Sequence, residues 1–162
     1  MSKDSILLPL ACVLGVLFVS APASAQTWKI EQGESISLEY RNAADTESML
    51  SVSCGARHSD IVIPLAPGTK PPAQAPELRV KERAGVYPMT MQWDVCGGEL
   101  TCTDRPAGDV STYYVKSANK QTALRFATRA LALDIEAPGV KLSASADRHV
   151  FARFAALCRK QR

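Results

Sequence analysis

Residues 145–158 read SADRHVFARFAALC, and this stretch carries the strongest structural signal in the sequence. Apolar side chains recur with the spacing that places them on one face of an α-helix; they stand at positions 150, 151, 154, 157 and 158. Ser145 is a suitable N-cap, and Asp147 then falls in the first turn. The stretch predicts a C-terminal amphipathic helix that carries Cys158 on its buried face.

The first 25 residues have the pattern of a secretory signal peptide. Lys3 gives a cationic start, an apolar run covers residues 6–19, and Ala23-Ser24-Ala25 is an A-x-A cleavage signature. The run is shorter than the roughly 18–20 residues of a membrane-spanning helix. We therefore expect a cleaved segment 1–25, one exported periplasmic domain over 26–162, and no transmembrane segment in the mature chain. Lipidation of Cys12 is not expected, because the apolar run continues well past it.

Four cysteines follow the signal segment, and an exported chain meets an oxidising compartment, so two disulfides are expected. Four cysteines allow three pairings. The pair Cys96–Cys102 is favoured because Gly97 and Gly98 permit a tight turn, and a disulfide needs Cα atoms about 4.4–6.8 Å apart. By elimination Cys54 pairs with Cys158, which would fix the predicted helix to an early part of the domain.

The same local pair could suggest redox or metal chemistry. Residues 94–102 read DVCGGELTC, a C-x5-C spacing, whereas a thioredoxin-like site has C-x-x-C. A structural zinc site has four Cys or His ligands in short paired spacings, but His58 and His149 are isolated in the sequence. We therefore interpret the cysteines as structural and expect no metal and no other cofactor.

Period-two alternation of apolar and polar residues predicts β-strands through most of the remaining chain. The predicted strands cover residues 35–41, 49–54, 60–65, 77–83, 89–95, 100–103, 112–116, 130–135 and 140–144. The strand 49–54 places Cys54 on the buried face. Residues 120–129 fit a short helix or a strand. The predicted fold class is mainly β (α+β), a small antiparallel β-sandwich or partly open barrel with one C-terminal helix pinned by a disulfide.

Proline is concentrated in one segment. Residues 64–76 read PLAPGTKPPAQAP and hold five of the ten prolines. A central strand cannot run through such a segment. It is predicted to be a long exposed loop between two strands, and less favourably a ligand for a proline-recognising groove.

Three stretches together resemble the small exported Gram-negative proteins of the invasion-associated locus B kind. They are SVSC at 51–54, WDVC at 93–96 with a second cysteine at 102, and LSASADRHVFARFAALC at 142–158. The resemblance covers most of the chain that follows the signal segment. It implies an envelope protein without a known catalytic centre, and it assigns no site residue.

No catalytic motif stands out. The candidate bases are His58 and His149, and neither lies in a nucleophile motif such as G-x-S-x-G. Two carboxylate pairs, Glu31/Glu34 and Glu77/Glu82, could serve glycoside hydrolysis, but such pairs are common on solvated strands. We expect a protein that is not an enzyme; the alternative is an envelope-polymer hydrolase that uses His58 or His149.

The charge pattern favours ordinary solvated surface charge, and a binding surface is the less favoured interpretation. The net charge of +3 is too small to indicate nucleic-acid binding. Basic residues nevertheless mark the predicted helix as a possible binding surface, namely Arg148, Arg153, Arg159 and Lys160, with Arg125 and Arg129 as an extension. Such a surface could contact anionic lipid head groups, cell-wall polymer or an acidic protein.

The sequence therefore predicts a non-enzymatic exported envelope protein that binds a protein or another envelope component and is stabilised by two disulfides. One alternative within binding proteins is an inhibitor of a lysozyme-like or other secreted enzyme. It would insert the proline-rich loop or the GGELT turn, because a rigid loop loses little entropy on docking. A further alternative is a subunit of a larger envelope complex.

Overall fold

A computed structural model describes residues 26–42, 47–97 and 102–161. The predicted signal peptide and Cys12 lie outside the described residues, as do Gly98 and half of the predicted strand 100–103; its described residues, 102 and 103, are not in a strand. The elements in chain order are β1 Gln26–Gln32, β2 Ile36–Asn42, β3 Ser48–Cys54, β4 Ser59–Pro64, β5 Glu77–Glu82, β6 Gly85–Thr90, β7 Gln92–Val95, β8 Val110–Ser117, α1 Gln121–Arg129, β9 Ala132–Ala137, β10 Val140–Ser145 and α2 Arg148–Lys160.

Two antiparallel sheets form the domain. One has six strands in the order β1-β2-β3-β4-β8-β7, and the other has four in the order β10-β9-β5-β6. Their buried side chains belong to one hydrophobic core. The mainly β fold with a disulfide-pinned C-terminal helix is thereby confirmed, and two separate sheets among the described residues favour the sandwich alternative over the barrel.

The six-stranded sheet buries one face, as its alternating sequence predicts. Along its central strands every second side chain is buried, and the intervening side chains are mostly half-exposed. The buried set is Ile36, Leu38 and Tyr40 on β2, Leu50, Val52 and Cys54 on β3, and Ile61 and Ile63 on β4. Helices α1 and α2 pack on each other and against β1 to β4, so they cover part of this face.

Both predicted disulfides are present. Cys54 at the end of β3 bonds Cys158 in α2, with Cα atoms 5.7 Å apart and both side chains fully buried. The Cys96–Cys102 pair has a Cα separation of 5.5 Å. Gly97 has a φ of +90°, and a Cβ there would lie 2.6 Å from that of Ala107, so the turn requires glycine.

An aromatic cluster joins the sheet to both helices. The Trp28 ring of β1 lies 4.8 Å from the Tyr40 ring and 4.8 Å from the Phe151 ring of α2. Phe126 of α1 stacks on Phe151 at 5.6 Å. The Trp28 indole donates a 2.7 Å hydrogen bond to the Ser145 carbonyl. Trp28 therefore packs against β2 through Tyr40, and against both helices through Phe126 and Phe151.

Helix α2 begins later than the sequence analysis predicts. Ser145 is the last residue of β10, and Asp147 is the N-cap. The Asp147 carboxylate accepts hydrogen bonds from the backbone N–H groups of His149 and Val150. The prediction of Ser145 as N-cap was wrong because Ser145 pairs with Ala132 in the four-stranded sheet, which leaves the capping role to the next suitable side chain.

The structure divides one predicted strand and assigns one ambiguous segment. The predicted strand 89–95 is two strands, because the chain leaves one sheet and enters the other at Met91. The Met91 N–H bonds the Pro76 carbonyl, and its side chain is buried. The segment 120–129 contains helix α1. In the described parts of the chain, neither helix is long and apolar enough to cross a membrane.

Candidate functional site

A groove of about 650 Å³ lies where α1 ends beside α2. Its third wall is the turn between β5 and β6, at residues 82–84. Helix α1 stops at Arg129 while α2 has 13 residues, so part of α2 has no helix beside it. Small side chains face the gap, among them Ala127, Ala130 and Ala155. The groove therefore follows from a short helix and from alanine at the positions that would otherwise fill the space.

The groove has an apolar floor. Phe151 and Ala155 of α2 are each 2% exposed, and Ala127 at the end of α1 is 6% exposed. Ala152 lines the groove from an exposed position on α2, and Leu131 stands at the rim with 38% of its surface exposed. The water-exposed apolar surface of the groove belongs to Leu131 and Ala152, and covering it with an alkyl or aromatic part of a ligand removes that area from water.

Four arginines surround this floor, namely Arg83, Arg129, Arg148 and Arg159. All four are exposed, and none forms a side-chain hydrogen bond or an ion pair with any other described residue. Arg148 and Arg159 lie eleven positions apart on α2, about three helical turns, which places them on one face. The unpaired guanidinium groups give the groove a positive potential that favours an anionic ligand.

The one acidic residue in the groove wall is already paired. Glu82 accepts two hydrogen bonds from Arg125, at 3.0 and 3.2 Å, and its side chain is 7% exposed. The hydrogen bond to Glu82 raises the pKa of Arg125, whose guanidinium also lies 3.7 Å from the centre of the Tyr87 ring. This contact fixes α1 to the β5–β6 hairpin. It also neutralises the carboxylate that would otherwise oppose an anion in the groove.

The structure separates the four residues of the predicted cationic surface. Arg148 and Arg159 line the groove, whereas Arg153 and Lys160 are exposed on α2 and do not line it. Of the two suggested extensions, Arg129 lines the groove, and Arg125 is engaged by Glu82. Arg83 was not among the predicted residues, because only the β5–β6 turn brings it to the helices.

The two candidate catalytic histidines lie apart. His149 is in the first turn of α2, and His58 follows Cys54, which bonds Cys158 near the other end of that helix. The rise of the helix puts about 13 Å between positions 149 and 158. Both imidazoles are exposed, and neither bonds a carboxylate among the described residues. In the same part of the chain no three His, Cys, Asp or Glu side chains form a metal-binding group.

The proline-rich loop is anchored in its middle, at residues 68–70. The Asp109 side chain is fully buried and accepts 2.7 Å hydrogen bonds from the Gly68 N–H and the Lys70 ammonium group. The Val110 N–H also bonds the Thr69 carbonyl. The hydrogen bond from Lys70 has the largest effect on the pKa of Asp109 and, together with the bond from Gly68, holds it below its usual range. The predicted irregular excursion between two strands is confirmed, and residues 68–70 in its middle are held against Asp109 and Val110.

The Asp109 clamp predicts a pH dependence. Because the pKa of Asp109 is lower in the folded protein than in the unfolded chain, the ionised carboxylate stabilises the fold. This stabilisation is complete at pH values above the unfolded-state pKa of about 3.9, and it is lost as the pH falls through the folded-state pKa. We expect Asp109→Asn to lower the melting temperature by a constant amount above about pH 5 and by less below about pH 4. Thermal melts of both proteins from pH 2 to pH 8 measure this difference. A difference that stays constant down to pH 2 would contradict the assignment.

No protein-family model matches the chain, and comparison with curated proteins and with solved structures found no significant match. The resemblance to the invasion-associated locus B kind of protein therefore stays a prediction.

Proposed function

We propose that this chain is an exported periplasmic protein that acts by binding an anionic component of the bacterial envelope, not by catalysis. The observation that carries the proposal is the groove between α1 and α2, where four arginines without carboxylate partners among the described residues surround an apolar floor. A volume of about 650 Å³ falls within the range of ligand sites, roughly 300–1,000 Å³.

The two disulfides support the proposed compartment, because such bonds persist in oxidising surroundings. They also support a binding role. Cys158 lies in the same helix as Arg148 and Arg159, so the long disulfide holds one wall of the groove against the sheet. A wall that is already ordered loses little entropy when a ligand docks.

The proposal predicts that charge reversal in the groove weakens binding far more than charge reversal elsewhere on the same helix. Arg148→Glu/Arg159→Glu changes two groove residues. Arg153→Glu/Lys160→Glu makes the same change in net charge at exposed positions outside the groove. Each hydrogen bond to a charged group contributes about 1.5–3 kcal/mol, so the groove variant should bind at least about tenfold more weakly.

Cosedimentation with phosphatidylglycerol-containing vesicles and with isolated cell-wall material measures both variants beside the wild type. The wild type should be retained by at least one material, and retention should fall as salt is raised, since exposed charges are screened. Equal retention of the two variants would place binding outside the groove. No retention of the wild type by either material would overturn the proposal.

The alternative role as an inhibitor of a secreted enzyme stays a prediction, and the anchoring of the proline-rich loop at Gly68 and Lys70 is the feature that supports it.

A further inference from the structure

We infer that the groove takes one molecule of an anionic amphiphile, a lipid-like compound with a phosphate head group and an alkyl chain. This inference rests on the proposed function and names the ligand class of the same site. The head group would meet the arginines, and the chain would lie on the floor that Phe151 and the alanines form.

The arrangement of charge and apolar surface favours an amphiphile over a simple anion. A small anion such as inorganic phosphate would use the guanidinium groups and leave the exposed side chains of Leu131 and Ala152 in contact with water. Leu131 is already 38% exposed, which is unusual for a large apolar side chain in this domain. An alkyl chain that covers Leu131 gains the free energy of apolar burial. The apolar side chains and the arginines would therefore contact different parts of one ligand.

The same arrangement favours one small molecule over a polymer. The four arginines line one groove of about 650 Å³. The neighbouring cations Arg153 and Lys160, which a long polyanion could also contact, lie outside the groove. A polyanion would therefore gain little from the groove that exposed cations elsewhere could not provide.

Arginine also fits the head group. A guanidinium presents paired N–H donors that match phosphate oxygens, and it keeps its charge at every physiological pH. The pairing of Glu82 with Arg125 leaves the groove without an unpaired carboxylate among its described lining residues, so a dianionic head group meets no unshielded negative charge.

The test is a calorimetric titration with methyl, butyl, hexyl and octyl phosphate below their micellar concentrations, with inorganic phosphate and octyl glucoside as controls. Complete burial of a methylene contributes a factor of about four in affinity, and partial burial on an open floor about two. We expect the affinity of the alkyl phosphates to rise by a factor of about two for each added methylene. Octyl glucoside should not bind, and Arg148→Glu/Arg159→Glu should abolish the heat signal of octyl phosphate. Arg153→Glu/Lys160→Glu should bind as the wild type does.

A second variant tests the floor without changing charge. Ala152→Trp fills the groove from an exposed position, so it should fold normally and reduce the affinity for octyl phosphate at least about tenfold while leaving that for methyl phosphate nearly unchanged. Affinity that does not depend on chain length, or equal binding of octyl phosphate by Ala152→Trp, would overturn the amphiphile inference. These outcomes leave the proposed function untouched if vesicles or cell-wall material retain the wild type through Arg148 and Arg159 in the cosedimentation experiment. The proposed function fails if neither material retains the protein through these two residues.

Discussion

Cys54→Ala/Cys158→Ala is expected to lower the free energy of unfolding by about 4.7 kcal/mol, about twice the loss expected for the local disulfide. The two cysteines are separated by 104 positions, so the bond closes a loop of about 105 residues in the unfolded chain. The loop-entropy relation assigns such a loop about 4.7 kcal/mol. A domain of this size has a total stability of about 5–15 kcal/mol, so the variant should lose between about a third and nearly all of it.

The local disulfide supplies the matched control. Cys96→Ala/Cys102→Ala also removes two cysteines and one bond, but its loop has only about seven residues, for which the same relation gives about 2.4 kcal/mol. Urea denaturation of both double variants, followed by circular dichroism, measures the two losses. Equal losses would contradict the view that the long bridge is the main covalent constraint on the fold.

Trp28→Ala is expected to lower the free energy of unfolding by about 3–5 kcal/mol, the usual range for deletion of a buried tryptophan. Trp28 is 8% exposed and contacts Tyr40, Phe126 and Phe151, so its loss opens a cavity between the six-stranded sheet and both helices. Because Phe151 forms part of the groove floor, the same change should also weaken ligand binding.

Trp28→Phe separates packing from hydrogen bonding. Phenylalanine retains most of the apolar contact but cannot donate a hydrogen bond to the Ser145 carbonyl. Trp28→Phe should therefore lower the free energy of unfolding by well under half as much as Trp28→Ala does. Urea denaturation compares the two variants. A Trp28→Ala protein within about 1 kcal/mol of the wild type would show that the aromatic cluster does not hold the helices in place.

The disulfides and the C-terminal helix could be predicted because their signals are local or countable. The stripe that contains Phe154 and Cys158 is apolar enough to give a clear helical period, and four cysteines leave few pairings. Helix α1 gave an ambiguous signal because its buried face is mostly alanine, at Ala123 and Ala127, which contrasts little with its surroundings. Its N-cap, Lys120, also makes no side-chain cap hydrogen bond.

Other elements escaped prediction for structural reasons. Strand β1 has only Trp28 and Ile30 as apolar positions, too few for a clear alternation. The alternation of residues 89–95 continues unbroken through Met91, where the chain changes sheets, because that side chain is buried at the corner as it would be within a strand. Alternation reports burial and does not report which sheet a strand joins.

The groove could be predicted only in part. Arg148 and Arg159 were singled out together with Arg153 and Lys160 as basic residues of the helix, without a reason to prefer one pair. The helical period places Arg148 and Arg159 on a different face from Arg153 and Lys160, but which face borders a groove depends on where α1 ends, and Arg83 reaches the site only through the β5–β6 turn. A convergence of distant residues is set by tertiary packing, which no local pattern contains.

The most direct test of the groove as binding site is the ratio of two dissociation constants for phosphatidylglycerol-containing vesicles. One belongs to Arg148→Glu/Arg159→Glu and the other to Arg153→Glu/Lys160→Glu, which carry equal net charge. The groove account predicts a ratio of at least about ten. A ratio of one would show that only net charge matters and would contradict it.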